Sequence, residues 1–131
     1  MLKTFTLRTE ELGFYNITSY VRQAVIESGV TSGIAVVFCP HTTAAITLNE
    51  NSDPDVQTDL MYAFEKTFSD RPQFKHCEGN SAAHLKSSCV GASETIIIDD
   101  NRLVLGTWQG IYLVEFDAPR NRKFMVKIMR G

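Results

Sequence analysis

Two of the chain's three histidines bracket one short polar run, His76-Cys77-Glu78-Gly79-Asn80-Ser81-Ala82-Ala83-His84-Leu85-Lys86. The third, His41, stands in a second polar knot, Pro40-His41-Thr42-Thr43. A small core has no use for imidazoles set among Gly, Asn, Ser, Thr and Glu. Catalysis, metal binding and phosphate binding do, because histidine changes charge and ligand capacity near neutral pH. In the first run Gly79 or Asn80 is placed to cap a short helix. The N–H groups of Asn80, Ser81 and Ala82 then point outward from a positive dipole end and suit a phosphate. Ser81 adds a hydroxyl and Lys86 a cation, with His84 one turn into the helix and His76 in the loop before it. A capped surface helix with two solvated histidines is the plainer alternative.

In extended chain Cys39 and His41 share a face, and Pro40, which cannot donate to a ladder, marks a strand end or bulge. His41 is thus a candidate site residue, with a hydrogen-bonded core histidine as the alternative. Asn49-Glu50-Asn51-Ser52-Asp53 is dense in acceptors. It offers oxygens to a hard cation such as Mg²⁺, or caps a helix through Ser52 or Asp53, which leaves Glu50 as the candidate ligand. Gly106-Thr107-Trp108-Gln109-Gly110 permits close approach of a ligand or another subunit, or is a tight hairpin with a packed Trp. Arg120 and Arg122 lie on a turn, where they pair with phosphate oxygens bidentately or are simply solvated. His41, His76 and His84 are the only imidazole trio available to a catalytic zinc with an open position, although their spacing is no zinc signature. Two histidines with Glu50 or Glu78 serve a cation equally well, and Cys39 and Cys77 are better read as bystanders.

The elements that must position these groups follow from period and punctuation. Lys3–Thr9 alternates as a strand. Tyr20, Val21, Ala24, Val25 and Ser28 recur at helical spacing until Gly29. Gly33–Phe38 and Thr42–Leu48 read as strands. Ser52-Asp53-Pro54 opens a helix whose stripe is Val56, Leu60, Phe64 and Phe68, a core-packing pattern. Ser69–Lys75 is a loop, and Asn80–Cys89 a short helix that Gly91 ends. Thr95–Ile98 and Arg102–Leu105 flank a hairpin turn at Asp99-Asp100-Asn101. Trp108–Asp117 is apolar on both faces, which calls for layers or a partner subunit, and Lys123–Met129 is a final strand. Together these predict a single α+β domain over residues 1–131, mainly antiparallel and sandwich-like, with two to three helices.

With 131 residues, 44% of them hydrophobic, and a net charge of -2, the chain holds a real core and presents no basic face for nucleic acid. No stretch approaches the ~20 apolar residues of a membrane span, and the start lacks the apolar run of a signal peptide. Cys39, Cys77 and Cys89 form no CxxC pair and read as free thiols. A soluble, cytoplasmic protein is expected.

The blocks Pro40-His41-Thr42-Thr43-Ala44-Ala45 with Asn49-Glu50, Gly79-Asn80 with Ala83-His84, Leu105-Gly106-Thr107-Trp108-Gln109, and Glu115-Phe116 with Pro119-Arg120 together resemble the YjbQ family in order and spacing. The resemblance implies an α+β fold, a homotrimer, and a metal- or anion-binding site built from the histidine blocks near a subunit interface. It also implies secondary thiamine-phosphate synthase activity, the coupling of a pyrimidine methyl pyrophosphate to a thiazole phosphate with loss of pyrophosphate. The family pattern sets an acidic residue at the position of Ala82, which makes Glu78 the substitute to test. The positions so implicated are His41, Thr42, His84 and Glu50 for catalysis, and Asn80, Ser81, Lys86, Trp108, Gln109 and Arg120 for substrate phosphate and ring. A divalent cation, Mg²⁺ or zinc, is the expected cofactor, with His41, His76 and His84 as its possible ligands. A metal-dependent hydrolase and a non-enzymatic, trimeric phosphometabolite-binding protein are the competing readings.

Overall fold

The computed structural model describes residues 1–131. Eight strands and three helices follow one another as β1 (Leu2–Thr9), β2 (Gly13–Asn16), α1 (Thr18–Ser28), β3 (Ser32–Phe38), β4 (Ala44–Glu50), α2 (Pro54–Thr67), α3 (Ser81–Val90), β5 (Ser93–Asp99), β6 (Arg102–Leu103), β7 (Gln109–Glu115) and β8 (Arg120–Arg130). The strands make two antiparallel sheets, one of order β1-β8-β3-β5-β6 and one of order β2-β7-β4. This is the α+β, sandwich-like architecture that the strand and helix periods predict. No helix is long and apolar enough to cross a membrane.

The main core lies between the five-stranded sheet and a layer made of α1 and the inner face of the three-stranded sheet. It joins Val21, Ala24 and Val25 of α1 to Val37, Ile98, Phe124 and Val126 on one side and Ile46, Ile111 and Leu113 on the other. The opposite face of the three-stranded sheet carries Ala45, Tyr112, Val114 and Phe116, packed against Ala83 of α3 and Met61 and Phe64 of α2. Strand β7 is therefore apolar on both faces because both faces are covered within one chain. Of the expected Val56–Leu60–Phe64–Phe68 stripe, all four residues are half-buried and Phe64 packs on the sheet beside Met61, yet no residue of α2 is fully buried.

Local chemistry sets most element ends. Asp53 accepts from the Asp55 N–H at the start of α2, with Pro54 in the first turn. Gly29 ends α1 in the left-handed region, φ 66°. Asp100 and Asn101, φ 53° and 58°, make the two-residue turn between β5 and β6. Four elements differ from expectation. Strand β8 begins at Arg120 rather than Lys123, because its first residues pair with the end of β1, so Arg120 and Arg122 stand in a strand rather than on a turn and Arg122 is buried. Strand β2 is too short to show alternation and is recruited by pairing with β7. Strand β4 begins at Ala44 rather than Thr42, because Thr43 is held in a turn by the N–H of Phe116 and by Arg122. Trp108 stands in the turn before β7, 62% exposed, rather than on the face of β7.

Where β3 runs beside the end of β8, the chains leave no room for a side chain at Gly33. A Cβ there would sit 1.9 Å from the carbonyl oxygen of Met129. Gly33→Ala is expected to cost about 3 kcal/mol by forcing that pair of strands apart, read as a fall in the urea midpoint at unchanged slope.

Candidate functional site: a polar pocket of histidines and arginines

Three segments meet at one end of the molecule. The turn between β3 and β4 brings His41, Thr42 and Thr43. The loop before α3 and the first turns of the helix bring His76, Glu78, Asn80 and His84. The β7–β8 connection, which contains the cis Ala118–Pro119 bond, brings Asp117, and the start of β8 brings Arg120 and Arg122. They line a cavity of about 390 Å³ with no hydrophobic wall residue. A second cleft of about 470 Å³ lies beside it and shares His41, Thr42 and His84. The rings of His76 and His84 meet edge to face, with centroids 5.4 Å apart.

The floor of this pocket is a buried ion pair. Glu115, 0% exposed, ends β7, and Arg122, 5% exposed, lies near the start of β8. Arg122 donates from Nε to Glu115 Oε1 at 2.7 Å and from Nη2 to Oε2 at 2.5 Å. Its Nη2 also reaches Thr43 Oγ1 at 2.8 Å and the Thr43 carbonyl at 3.2 Å. Glu115 accepts two further bonds, from the Thr9 hydroxyl at 2.5 Å and the Asp117 N–H at 2.9 Å. One level up, Asp117 Oδ2 accepts from Asn80 Nδ2 and from Arg120 Nη2, both at 2.9 Å. Asn80 thus turns its amide toward Asp117 instead of capping α3. Its Oδ1 is the one buried side-chain polar atom without a partner.

These contacts set the charges. Burial works to raise the carboxyls of Glu115 and Asp117. The bonds from Arg122 and Thr9 to the first, and from Asn80 and Arg120 to the second, outweigh it and hold both below their ordinary values. His41 is lowered from 6.5, first by burial and then by the charge of Arg122. Its Nε2 accepts the Lys123 N–H at 2.9 Å, so the neutral ring carries its proton on Nδ1. The pH consequence has one sign for all three. A folded-state value below the unfolded one means that the unfolded chain binds more protons, so stability is lost as pH falls. Denaturation midpoints are expected to drop in two stages, first below about 6.5 and again as the carboxylates titrate below about 4.5. His41→Gln should remove the first stage alone.

Several expected site residues lie elsewhere. Lys86 is 4% exposed and ion-pairs with Glu65 on α2 at 2.6 Å, beneath the ring of Phe116, so it supplies no cation to the pocket. The α3 start does not await a phosphate at Ser81: Asp70 Oδ1 already accepts the Ala82 N–H at 3.0 Å, and a carboxylate satisfies that dipole end. Glu50, Trp108 and Gln109 gather at the far end of β4 and β7, where Glu50 pairs with Gln109. Six residue steps of strand separate Glu50 from Ala44 at the pocket end, roughly 20 Å. There the Glu50 carboxylate accepts from the Ser52 and Asp53 N–H groups, and Gln109 Oε1 accepts from the Gly106 N–H. These three residues close a turn and a helix start rather than facing the histidines of the same chain. The His41, His76 and His84 trio meets at the pocket, with the rings of His76 and His84 against each other. His41 Nε2 is engaged by the backbone, and no three His, Cys, Asp or Glu side chains are grouped to share an ion. All three cysteines are free, Cys39 buried and Cys77 and Cys89 exposed.

Arg122 and Glu115 are the site residues whose importance the sequence reading understates. Their signal is one of phase. Arg122 falls in step with the inward Phe124, Val126 and Ile128, and Glu115 in step with Ile111 and Leu113. Opposite charges at core-phase positions of successive strands announce a buried pair.

The fold and the pocket define a class: small α+β proteins of two antiparallel sheets that gather histidine, arginine and carboxylate groups in a cavity free of apolar walls. A family model described as UPF0047 protein YjbQ-like matches residues 3–131, and the chain belongs to that family. It is 49% identical over 131 residues to the UPF0047 protein YugU of Bacillus subtilis, covering 98% of this chain and 99% of the relative. It is 52% identical over 124 residues to a UPF0047 protein of Methanocaldococcus jannaschii, covering 95% and 88%. Among solved structures, an uncharacterized conserved protein of the YjbQ/UPF0047 family from Clostridium acetobutylicum superposes with a TM-score of 0.94 at 54% identity, covering 97% of this chain and 99% of that one. A YbjQ-like protein of unknown function from Sulfolobus solfataricus gives 0.94 at 32% identity, covering 100% and 97%.

Proposed function

We propose that the protein acts on a small phosphorylated metabolite in the histidine–arginine pocket, as a secondary thiamine-phosphate synthase. The observation that carries this is the cavity with no hydrophobic wall, into which Arg120, Arg122, His41, His76 and His84 converge. In the reaction the ring nitrogen of a thiazole phosphate forms a bond to the pyrimidine methylene carbon. The carbon–oxygen bond to pyrophosphate breaks, and pyrophosphate departs with the electron pair. The barrier is the charge that gathers on the leaving oxygens, which preorganised donors lower by several kcal/mol. Arg120 is placed to hold pyrophosphate oxygens, and His84, paired with His76, to protonate the departing group. Glu78, on the cavity wall, stands in for the acid that the family pattern sets at the position of Ala82. Trp108 has no part as a stacking surface within one chain.

The hydrolase reading needs a histidine-bound cation, for which His76, His84 and Glu78 of the pocket would be the ligands while His41 Nε2 stays with the Lys123 N–H, and no step is drawn through it. The phosphometabolite-binding reading shares the pocket and differs only in turnover. Incubating the full chain with both phosphorylated halves, with added Mg²⁺ and with added zinc, decides between them. Thiamine phosphate and pyrophosphate in equal amounts are expected. Saturable binding with no product would replace the synthase with a binding protein.

The homotrimer is part of the same proposal. Support comes from the open face of the five-stranded sheet, where Ile34 pairs across to Ile97 and Met129, with Ile97, Met129 and Phe38 exposed. An apolar sheet face of this kind calls for cover.

A further inference from the structure

One end of the Arg122 guanidinium has no partner in the chain. Nε and Nη2 are consumed by Glu115 and Thr43. Nη1 donates to neither, on a residue that is 95% removed from solvent and lines the cavity. His41 repeats the pattern: Nε2 is taken by the Lys123 N–H, which leaves the Nδ1 proton without an acceptor in the chain. The donors are stiff. The guanidinium is locked by a bidentate carboxylate, and the imidazole is fixed by a backbone bond that also dictates its tautomer. Neither donor is sealed off, since Asn80 Oδ1 is the one fully buried polar atom without a partner; both residues line the cavity, where fixed donors with no acceptor in the chain can meet one on a ligand.

We propose that Arg122 Nη1 and His41 Nδ1 together form a preorganised seat for a phosphoryl group. This rests on the reading that the pocket handles phosphorylated metabolites, and it moves the phosphate from the start of α3 to the floor of the cavity. A phosphoryl group offers three oxygens to donors that come from different walls, whereas a carboxylate offers two in one plane. The carboxylates nearby do not close the seat. Glu115 sits behind the guanidinium, Asp117 is bound to Asn80 and Arg120, and Glu78 lies within the field of Arg120. Arg120, exposed at the rim, adds a second cation without being buried.

The test is calorimetric titration of the full chain with inorganic phosphate, pyrophosphate and acetate. The unaltered protein is expected to bind the two phosphates saturably and acetate at least tenfold more weakly. Arg122→Lys keeps a charge beside Glu115 but loses the planar Nη1 donors, and should weaken phosphate about tenfold or more. His41→Gln keeps an acceptor for Lys123 where Nε2 was and removes the Nδ1 donor, so it should weaken binding to a similar degree. His41→Asn restores an N–H near the Nδ1 position and should stay within about threefold of the original. The His41 pair decides the matter if Arg122→Lys does not fold. Equal weakening by Gln and Asn, undiminished binding in His41→Gln, or no phosphate binding by the unaltered chain would each overturn the seat. The synthase reading fails separately. Phosphate binding with this mutational pattern but no coupling product leaves the seat standing, and coupling that is indifferent to His41→Gln removes the seat alone.

Discussion

Glu115→Ala is expected to destabilise the protein by about 3–5 kcal/mol, because it leaves the Arg122 guanidinium buried without its carboxylate. The whole domain holds about 5–15 kcal/mol against unfolding, so this one change takes a large share of it. The loss comes from the unpaired charge more than from the pair's own attraction, since burying two ions costs nearly what their contact returns. That distinction is measurable. Replacing both partners, as Glu115→Leu with Arg122→Met, is expected to recover most of the stability while phosphate binding falls with the lost guanidinium. Urea titrations of the single and double variants check it. A single-variant loss below about 1 kcal/mol would mean that water reaches the guanidinium and that the pocket floor is wet.

The second large effect falls on turnover. His84→Ala is expected to lower the rate of pyrophosphate release about 100-fold, within the range usual for a positioned proton donor. His84 is half-buried in the wall shared by the two clefts, its ring against that of His76, and it carries no core packing. Its loss should therefore leave the denaturation midpoint nearly unchanged. Arg120→Ala should act on the same step by removing a cation from the leaving group, and it frees Asp117, which then repels the substrate. A fall in rate matched by a fall in stability would mark either residue as structural.

The division between what could be read in the sequence and what could not follows the range of each interaction. The start of α2 at Ser52-Asp53-Pro54 and the Asp99-Asp100-Asn101 turn depend on neighbours a few residues away, and they stand where they were expected. So do the two histidine blocks, whose members share a loop or a helix turn. Glu50 shows the limit. It is nine residues from His41, but those residues are an extended strand that carries it to the other end of the sheet. Lys86 and Ser81 show another, since Glu65 and Asp70 come from upstream to occupy the charge and the helix start that looked free. The Glu115–Arg122–Thr43–Thr9 cluster joins three sheet elements and a turn, and only its phase along β7 and β8 betrays it.

The central claim is that this pocket handles phosphorylated metabolites by displacing pyrophosphate. Its most direct test is pyrophosphate release from the two phosphorylated halves by the full chain, run beside His84→Ala. Product in stoichiometric amount with the unaltered protein, reduced about 100-fold in the variant, is the predicted result. No release by either protein, or equal release by both, would contradict it.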